Sequence, residues 1–367
     1  MRPEALTPFD VHIHPRADGG VELLASAGRA GVWGQAHAST SASDLARLER
    51  VRKKLDRVDE DSGTPLAGKR RVLDFAWCRV HGANVFRALL PGAVEDLYRG
   101  CLRQARREGL TLMLRIRYSG TAERLHEAPW ELVFDPDEDQ FLALWPETCL
   151  ARYLQMPRAE RPVRHDPRTL LVTMANARSH PLMLGKECER IGAVTRRTMR
   201  LTSSRVTSNR EIRAQLVNAA GAGRPYLAWH HVGHGEIDAA TGRFELAFDT
   251  GHRDKADASL ADLVAALAGS HVRCAVLNIC HSGGPTGVAT AIAAANVPIV
   301  IGHRTAVYDD AAISFATTLW RELVAGRPAE LAIRTARVAM VSQGGSHWVL
   351  PMLFVRTDDT YLVEEPV

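Results

Sequence analysis

The sequence predicts an α/β fold, a mostly parallel β-sheet flanked by helices, with a small N-terminal β-hairpin and helical lead-in. Three observations carry this prediction. In the second half, short apolar runs alternate with amphipathic stretches long enough to be helices. The helices lie between successive strands, so the connections are crossovers and the strands run parallel. At the other end, residues 9–14 alternate apolar and polar and run into turn chemistry at 15–20, the pattern of a hairpin.

The elements follow in order. Residues 21–25 and 32–37 read as further short strands beside 9–14. A helix is expected over 41–60, with Leu45, Leu48, Val51 and Leu55 on one stripe, and a loop over 61–68. Helices at 72–90 and 93–108 are separated by Pro91 and Gly92. Residues 110–118, 141–144 and 150–154 read as strands, and 157–167, with three prolines, as a linker. Beyond it come a strand at 170–174, helices at 186–198 and 211–219, and a strand at 226–231. A helix at 259–267, a strand at 274–279, a helix at 288–295 and a strand at 299–302 follow. Helices at 311–324 and 330–342 and a strand at 349–355 complete the pattern. The division this suggests is 1–66 (hairpin plus helix), 67–160 (helical and strand lead-in) and 161–367 (catalytic core).

Bulk properties narrow the class. The chain has 367 residues, 46% hydrophobic and 24% charged, enough for a sizeable core that needs no metal or disulfide. The net charge of +4 comes with basic runs at 51–54, 103–107 and 196–200, which read as solvated helix faces. No aromatics interleave with them, so direct nucleic-acid binding is not expected. Six cysteines stand singly with no C-x-x-C pair, the usage of a reducing compartment. The N-terminus has no apolar signal core, and no apolar run approaches the ~18 residues of a membrane span. The expectation is a cytoplasmic protein without cofactor or metal.

In a parallel sheet, chemistry collects at the carboxyl ends of strands. Two such ends carry reactive residues beside glycine: the run from Tyr226 to Gly235, which contains His234, and the run from Cys274 to Gly284, which contains Cys280. The two residues are 46 positions apart, room for a crossover that returns both strands to one sheet edge. A thiol of ordinary pKa needs help to ionise. His234 is placed to take its proton, and the helix expected from about Thr286 would add free N–H groups and its dipole. Gly235 and the Cys280 amide could form an oxyanion hole, and Gly283 and Gly284 would leave space for a peptide. His230, four before His234, reads as a supporting residue or as a hydrogen-bonded core histidine.

These residues resemble the CHAT family, a bacterial branch of the caspase and separase clan. The His box is similar to that family's His-aromatic-x-Gly-His-Gly, with His231 in place of the aromatic, and Leu277-Asn278-Ile279-Cys280-His281-Ser282-Gly283 is similar to its Cys box. Ala128-Pro129-Trp130-Glu131-Leu132 with Asp135-Pro136, Val300-Ile301-Gly302 with Asp310-Ala311-Ala312, and the end from Trp348 to Val355 extend the resemblance over nearly the whole chain. It implies a caspase-like, bacterial, stand-alone cysteine endopeptidase with base His234 and nucleophile Cys280. It also implies action on a protein partner in antiviral defence or cell death, for example a gasdermin-like pore former or a toxin, and a separate sensor or activator protein. By the same likeness Asn278 lines the pocket for the residue before the cut. Being neutral, it argues for a neutral or apolar residue there, while Asp309 reads either as negative charge for that pocket or as a cap of the following helix.

Two other classes compete. One is a caspase-like scaffold that binds a partner without cutting it. The other is a metal-dependent hydrolase using His12 and His14, which share a strand face; it would need further ligands at later strand ends.

Overall fold

The computed structural model describes residues 5–28, 33–56, 74–118, 123–154, 168–176, 182–237, 243–248, 259–284, 287–343 and 345–363. Residues 57–60 of the first expected helix, residues 72–73 of the second, the whole expected linker 157–167, the loop 61–68 and Thr286 fall outside them. The chain divides into two compact units, residues 1–155 with 344–349 and residues 156–343 with 350–367.

In the first unit, β1 (Leu6–Pro15) and β2 (Val21–Ala27) form the antiparallel hairpin, and β3 (Gly34–Thr40) pairs antiparallel with β2. Three helices follow, α1 (Ala42–Asp56), α2 (Phe75–Leu89) and α3 (Ala93–Glu108). Asp74 caps α2 by accepting the Ala76 N–H, and α3 stops at Gly109 in the left-handed region, φ 65°. β4 (Thr111–Tyr118) runs parallel to β1. The strand expected at 141–144 is shorter than the apolar run. Only a two-residue ladder forms, between β5 (Phe134–Asp135) and β6 (Gln140–Phe141), because Phe141 turns into an aromatic cluster with Phe134 and Trp348 at 4.9 and 4.7 Å. β7 (Thr148–Leu154) completes the order β3-β2-β1-β4-β7. On the core face, Phe9 and Phe86 meet Tyr98 edge-on at 5.9 and 5.8 Å.

β7 also carries Arg152, fully buried with Glu131. The guanidinium grips both oxygens of that carboxylate and donates to the carbonyls of His126 and Ala128 at 2.9 and 3.0 Å. It thereby satisfies backbone groups of a segment that has no strand or long helix to do so. Arg152→Met strands the Glu131 carboxylate and is expected to cost about 3–5 kcal/mol. The check is the urea midpoint at unchanged m; an unaltered midpoint would show that the pair contributes nothing.

The second unit runs β8 (Thr169–Met174), α4 (Leu184–Thr195), β9 (Arg200–Arg205), α5 (Asn209–Gly221), β10 (Ala228–Val232), β11 (His234–Ile237), β12 (Phe244–Ala247), α6 (Leu260–Ala268), β13 (Cys274–Asn278), α7 (Val288–Ala294), β14 (Ile299–His303), α8 (Asp309–Val324), α9 (Ala329–Val341) and β15 (Pro351–Val355). Its sheet order is β15-β14-β13-β10-β8-β9, parallel except for β15. β9 was not expected. The basic run at 196–200 leads out of α4 into this polar edge strand, and is not a helix face.

The mostly parallel, helix-flanked sheet is thus the architecture the sequence predicts. From β8 the chain steps outward to β9 and then back across to β10, β13 and β14. Right-handed crossovers place α4 and α5 on opposite faces when the direction reverses. The reversal makes the β8/β10 boundary a topological switch point, and in open α/β sheets ligands bind at the carboxyl ends of strands at such a point.

Candidate active site

The two boxes meet at that edge. β10 and β13 are parallel neighbours with Val232 opposite Asn278 as the last registered pair. His234 and Cys280 each lie two residues beyond it, so the register brings both to the same end of adjacent strands. After Gly233 the chain bends into a hairpin, β11 with β12, in which Gly235 faces Leu246. A β-carbon placed on Gly235 would fall well inside contact distance of the Cys280 carbonyl oxygen and 2.7 Å from the Phe244 ring. The His-box backbone therefore lies directly against the Cys280 backbone, and only glycine permits it.

Residues 279–284 form a tight turn after β13. His281 adopts φ 59° within it. Ser282 is buried and pins the turn from inside. Its Oγ lies 3.1 and 3.0 Å from the Leu277 and Ile279 carbonyls and accepts the His303 N–H at 2.9 Å, while the Gly283 N–H reaches the His303 carbonyl at 2.8 Å.

Two expectations about this turn are corrected. Gly283 and Gly284 do not make room for a peptide: their β-carbon positions are filled by Gly302 backbone at 3.1 Å and by the Arg304 carbonyl at 2.7 Å. The helix after the turn also begins later than about Thr286. α7 starts only at Val288, spans seven residues, and its Ala289 N–H is taken by the Ser282 carbonyl at 2.9 Å.

Among the cysteines, Cys280 stands apart. Cys78, Cys101, Cys149 and Cys274 are buried. Burial pushes the thiols of Cys78 and Cys101 up to about 11 and that of Cys274 up to about 12. Cys188 and Cys280 are half-buried, and burial raises Cys188 as well. Cys280 alone of the six sits in a strand-end turn.

Side chains alternate between the two faces of β10. On one, Trp229 Nε1 donates to Thr173 Oγ1 at 2.8 Å, and that hydroxyl lies 2.8 Å from His231 Nδ1. Complete burial, and then His230, depress the His231 pKa to about 3, so this histidine stays neutral. On the other face His230 is buried with its Nε2 2.8 Å from Glu187 Oε1, while Trp320 Nε1 donates to His230 Nδ1 at 3.1 Å. The same Glu187 oxygen takes Asn278 Nδ2 at 2.7 Å, and Asn278 Oδ1 lies 2.6 Å from His303 Nε2.

Asn278 is therefore bound on both ends of its amide. Asp309 begins α8, and its carboxylate accepts the N–H of Met183, the residue before α4, at 2.8 Å; Asp310 pairs with Lys186 at 3.2 Å. Both acids tie α8 to α4, and Asp309 lies in the first turn of α8 while Tyr308 holds the cap position. Glu187, His303, Trp320 and Thr173 were not singled out from the sequence. Glu187 did leave a signal, a carboxylate on the stripe of α4 that also buries Leu184 and Ile191.

The His12 and His14 rings stack at 6.4 Å in the first unit, but Asp10 beside them is held by Arg115 and Arg117. Among the described residues no three His, Cys, Asp or Glu side chains are grouped to hold a metal, which leaves the metal-hydrolase reading without its further ligands. Among them, too, no helix is long and apolar enough to cross a membrane.

The CHAT domain model matches residues 86–359, most of the chain and both boxes. The chain belongs to the CHAT domain family. A chain in the crystal structure of the Saccharomyces cerevisiae separase–securin complex is similar to this CHAT protein in fold, with TM-score 0.53 at 10% identity over 96% of this chain and 30% of that one. A second structure of that complex gives TM-score 0.49 at 9% identity, covering 95% and 30%. At such identities the likeness concerns the fold alone, and the CHAT chain spans about 30% of the length of that protein. No curated protein matches it significantly in sequence. Family and fold together give it a peptidase-like architecture of the caspase–separase clan.

Proposed function

We propose that the protein is a cysteine endopeptidase that cuts a specific protein partner with Cys280 as nucleophile and His234 as general base. The observation that carries this reading is the packing of Gly235 against the Cys280 carbonyl, which places the His box and the Cys box side by side at one sheet edge. His234 takes the Cys280 proton and the thiolate attacks the scissile carbonyl. The tetrahedral oxyanion is met by backbone N–H groups of Gly235 and Cys280. His234 then gives the proton to the leaving amine, and an acyl-enzyme remains. Water adds to the thioester with His234 as base, and the thiol leaves as the carboxylic product departs. Membership of the CHAT family supports a dedicated protein substrate, such as a gasdermin-like pore former or a toxin in bacterial defence or cell death, with a separate sensor or activator.

The test is covalent labelling of the full chain with a peptidyl acyloxymethyl ketone, mapped by mass spectrometry and repeated with the products of neighbouring genes. Modification is expected at Cys280 and is expected to fall by at least a hundredfold in His234→Ala. Absence of label at Cys280 under all these conditions would establish the non-cutting scaffold instead.

A further inference from the structure

A single buried oxygen joins the two strands that carry the candidate dyad. Glu187, 1% exposed on α4, presents Oε1 to His230 on β10 and to Asn278 on β13. The proton positions follow from the partners. Trp320 Nε1 is only a donor, so His230 Nδ1 accepts, and His230 Nε2 must carry the hydrogen that it donates to Glu187. Asn278 turns its nitrogen toward two acceptors, Glu187 Oε1 at 2.7 Å and the Ala312 carbonyl at 3.3 Å. Its oxygen is left to accept from His303 Nε2 at 2.6 Å. The backbone N–H of His303 in turn donates to Ser282 in the Cys280 turn. Hydrogen bonds thus run unbroken from α8 through β10, α4 and β13 to β14 and the nucleophile's own turn.

The placement is what matters. His230 is four residues before His234, and Asn278 is two before Cys280. Parallel strands pair through evenly spaced, slanted bonds and are slightly less stable per residue than antiparallel ones. A common acceptor adds a side-chain tie between the two strands near the ends that carry His234 and Cys280.

We propose that Glu187 is a positioning residue that fixes the ends of β10 and β13 relative to each other, and through them the approach of His234 to Cys280. This rests on the reading of those two residues as a dyad. The role belongs to the reach of one oxygen and not to the negative charge. Glutamine keeps an acceptor oxygen at the same distance from the backbone, whereas aspartate keeps the charge one methylene short and cannot meet both donors.

The experiment compares the full-length chain with Glu187→Gln and Glu187→Asp, each first shown to melt cooperatively. The first readout needs no peptidase activity: the ¹⁵N shifts of the His230 ring in histidine-labelled protein, assigned by loss of the signal in His230→Gln. Trp320 keeps the hydrogen on Nε2 in all three; wild type and Glu187→Gln are expected to show the shift of a hydrogen-bonded Nε2–H, and Glu187→Asp a shifted Nε2 signal as that bond to residue 187 is lost. The second is labelling of Cys280 by the peptidyl electrophile, resolved into maximal rate and half-saturating concentration. Glu187→Gln is expected within about threefold of wild type, and Glu187→Asp to lose tenfold or more in maximal rate at unchanged half-saturation, as follows from a misplacement of a fraction of an ångström to an ångström.

Glu187→Asp matching wild type while Glu187→Gln fails would overturn the proposal in favour of charge. Equal rates and equal His230 signals in all three would show that the carboxylate positions nothing. If wild type does not label at Cys280 but its His230 signal responds as stated, the peptidase reading fails while the role of Glu187 in joining the strands stands.

Discussion

Cys280→Ala is expected to abolish cleavage of the partner protein, with a loss of about ten-thousandfold or more, and to leave the fold unchanged. Removing the nucleophile leaves a covalent mechanism with only its binding and oxyanion contributions. The fold should not respond, because the turn at 279–284 is held by Ser282, the Gly283 N–H and the Ala289 N–H, none of which involves the sulfur of Cys280. The side chain is half-buried, so truncation to alanine opens no enclosed cavity. The measurement pairs co-expression with neighbouring gene products, scored for a cut, with a thermal melt of the purified variant. A cut that persists in a cleanly folded Cys280→Ala protein would remove Cys280 from the chemistry altogether.

Gly235→Ala is expected to cost a hundredfold or more in turnover without touching a chemical group. The added methyl would collide with the Cys280 carbonyl and with the Phe244 ring. Neither can step aside cheaply: one is backbone of the nucleophile's turn, the other a buried aromatic of β12. The β11/β12 hairpin must therefore shift, and His234 begins that hairpin. An ångström of misplacement between base and nucleophile is enough for a loss of this size, and overpacking at such a site costs about 1–3 kcal/mol in stability. Gly192→Ala supplies the control. Its added methyl would meet only Leu201 at 3.8 Å inside α4, so it should leave activity unchanged and support the helix. Equal activity of Gly235→Ala and Gly192→Ala would show that the close approach at Gly235 has no bearing on the reaction.

Much of this molecule was legible before any coordinates. The apolar runs at 170–174, 226–231, 274–279 and 299–302 became β8, β10, β13 and β14, because strands buried on both faces need continuous apolar sequence. β9 escaped notice because an edge strand needs no such run; its sequence, Arg-Leu-Thr-Ser-Ser-Arg, is half exposed. The hairpin after His234 was hidden for a similar reason. Its strands have four residues each, too short to show a clear alternation.

His234 and Cys280 could be picked out because each ends a strand beside glycine. Glu187 could not be assigned a role, since its partners are 43 and 91 residues away in sequence and meet only when three elements pack. The helix after Cys280 starts later than expected for a local reason. Residues 281–284 form a turn with two glycines, and its Ser282 carbonyl takes the Ala289 N–H in the first turn of α7.

That turn has an evolutionary consequence. Gly283 and Gly302 abut each other across neighbouring segments, Gly284 abuts Arg304, and Gly287 abuts the carbonyls of His281 and Ser282. Space alone opposes a side chain at Gly284, Gly287 and Gly302, and is tight at Gly283, whatever the chain is selected to do. A lineage that lost its cysteine would still need them to fold, so their survival in a descendant testifies to ancestry of the scaffold and carries no information about whether it still cuts.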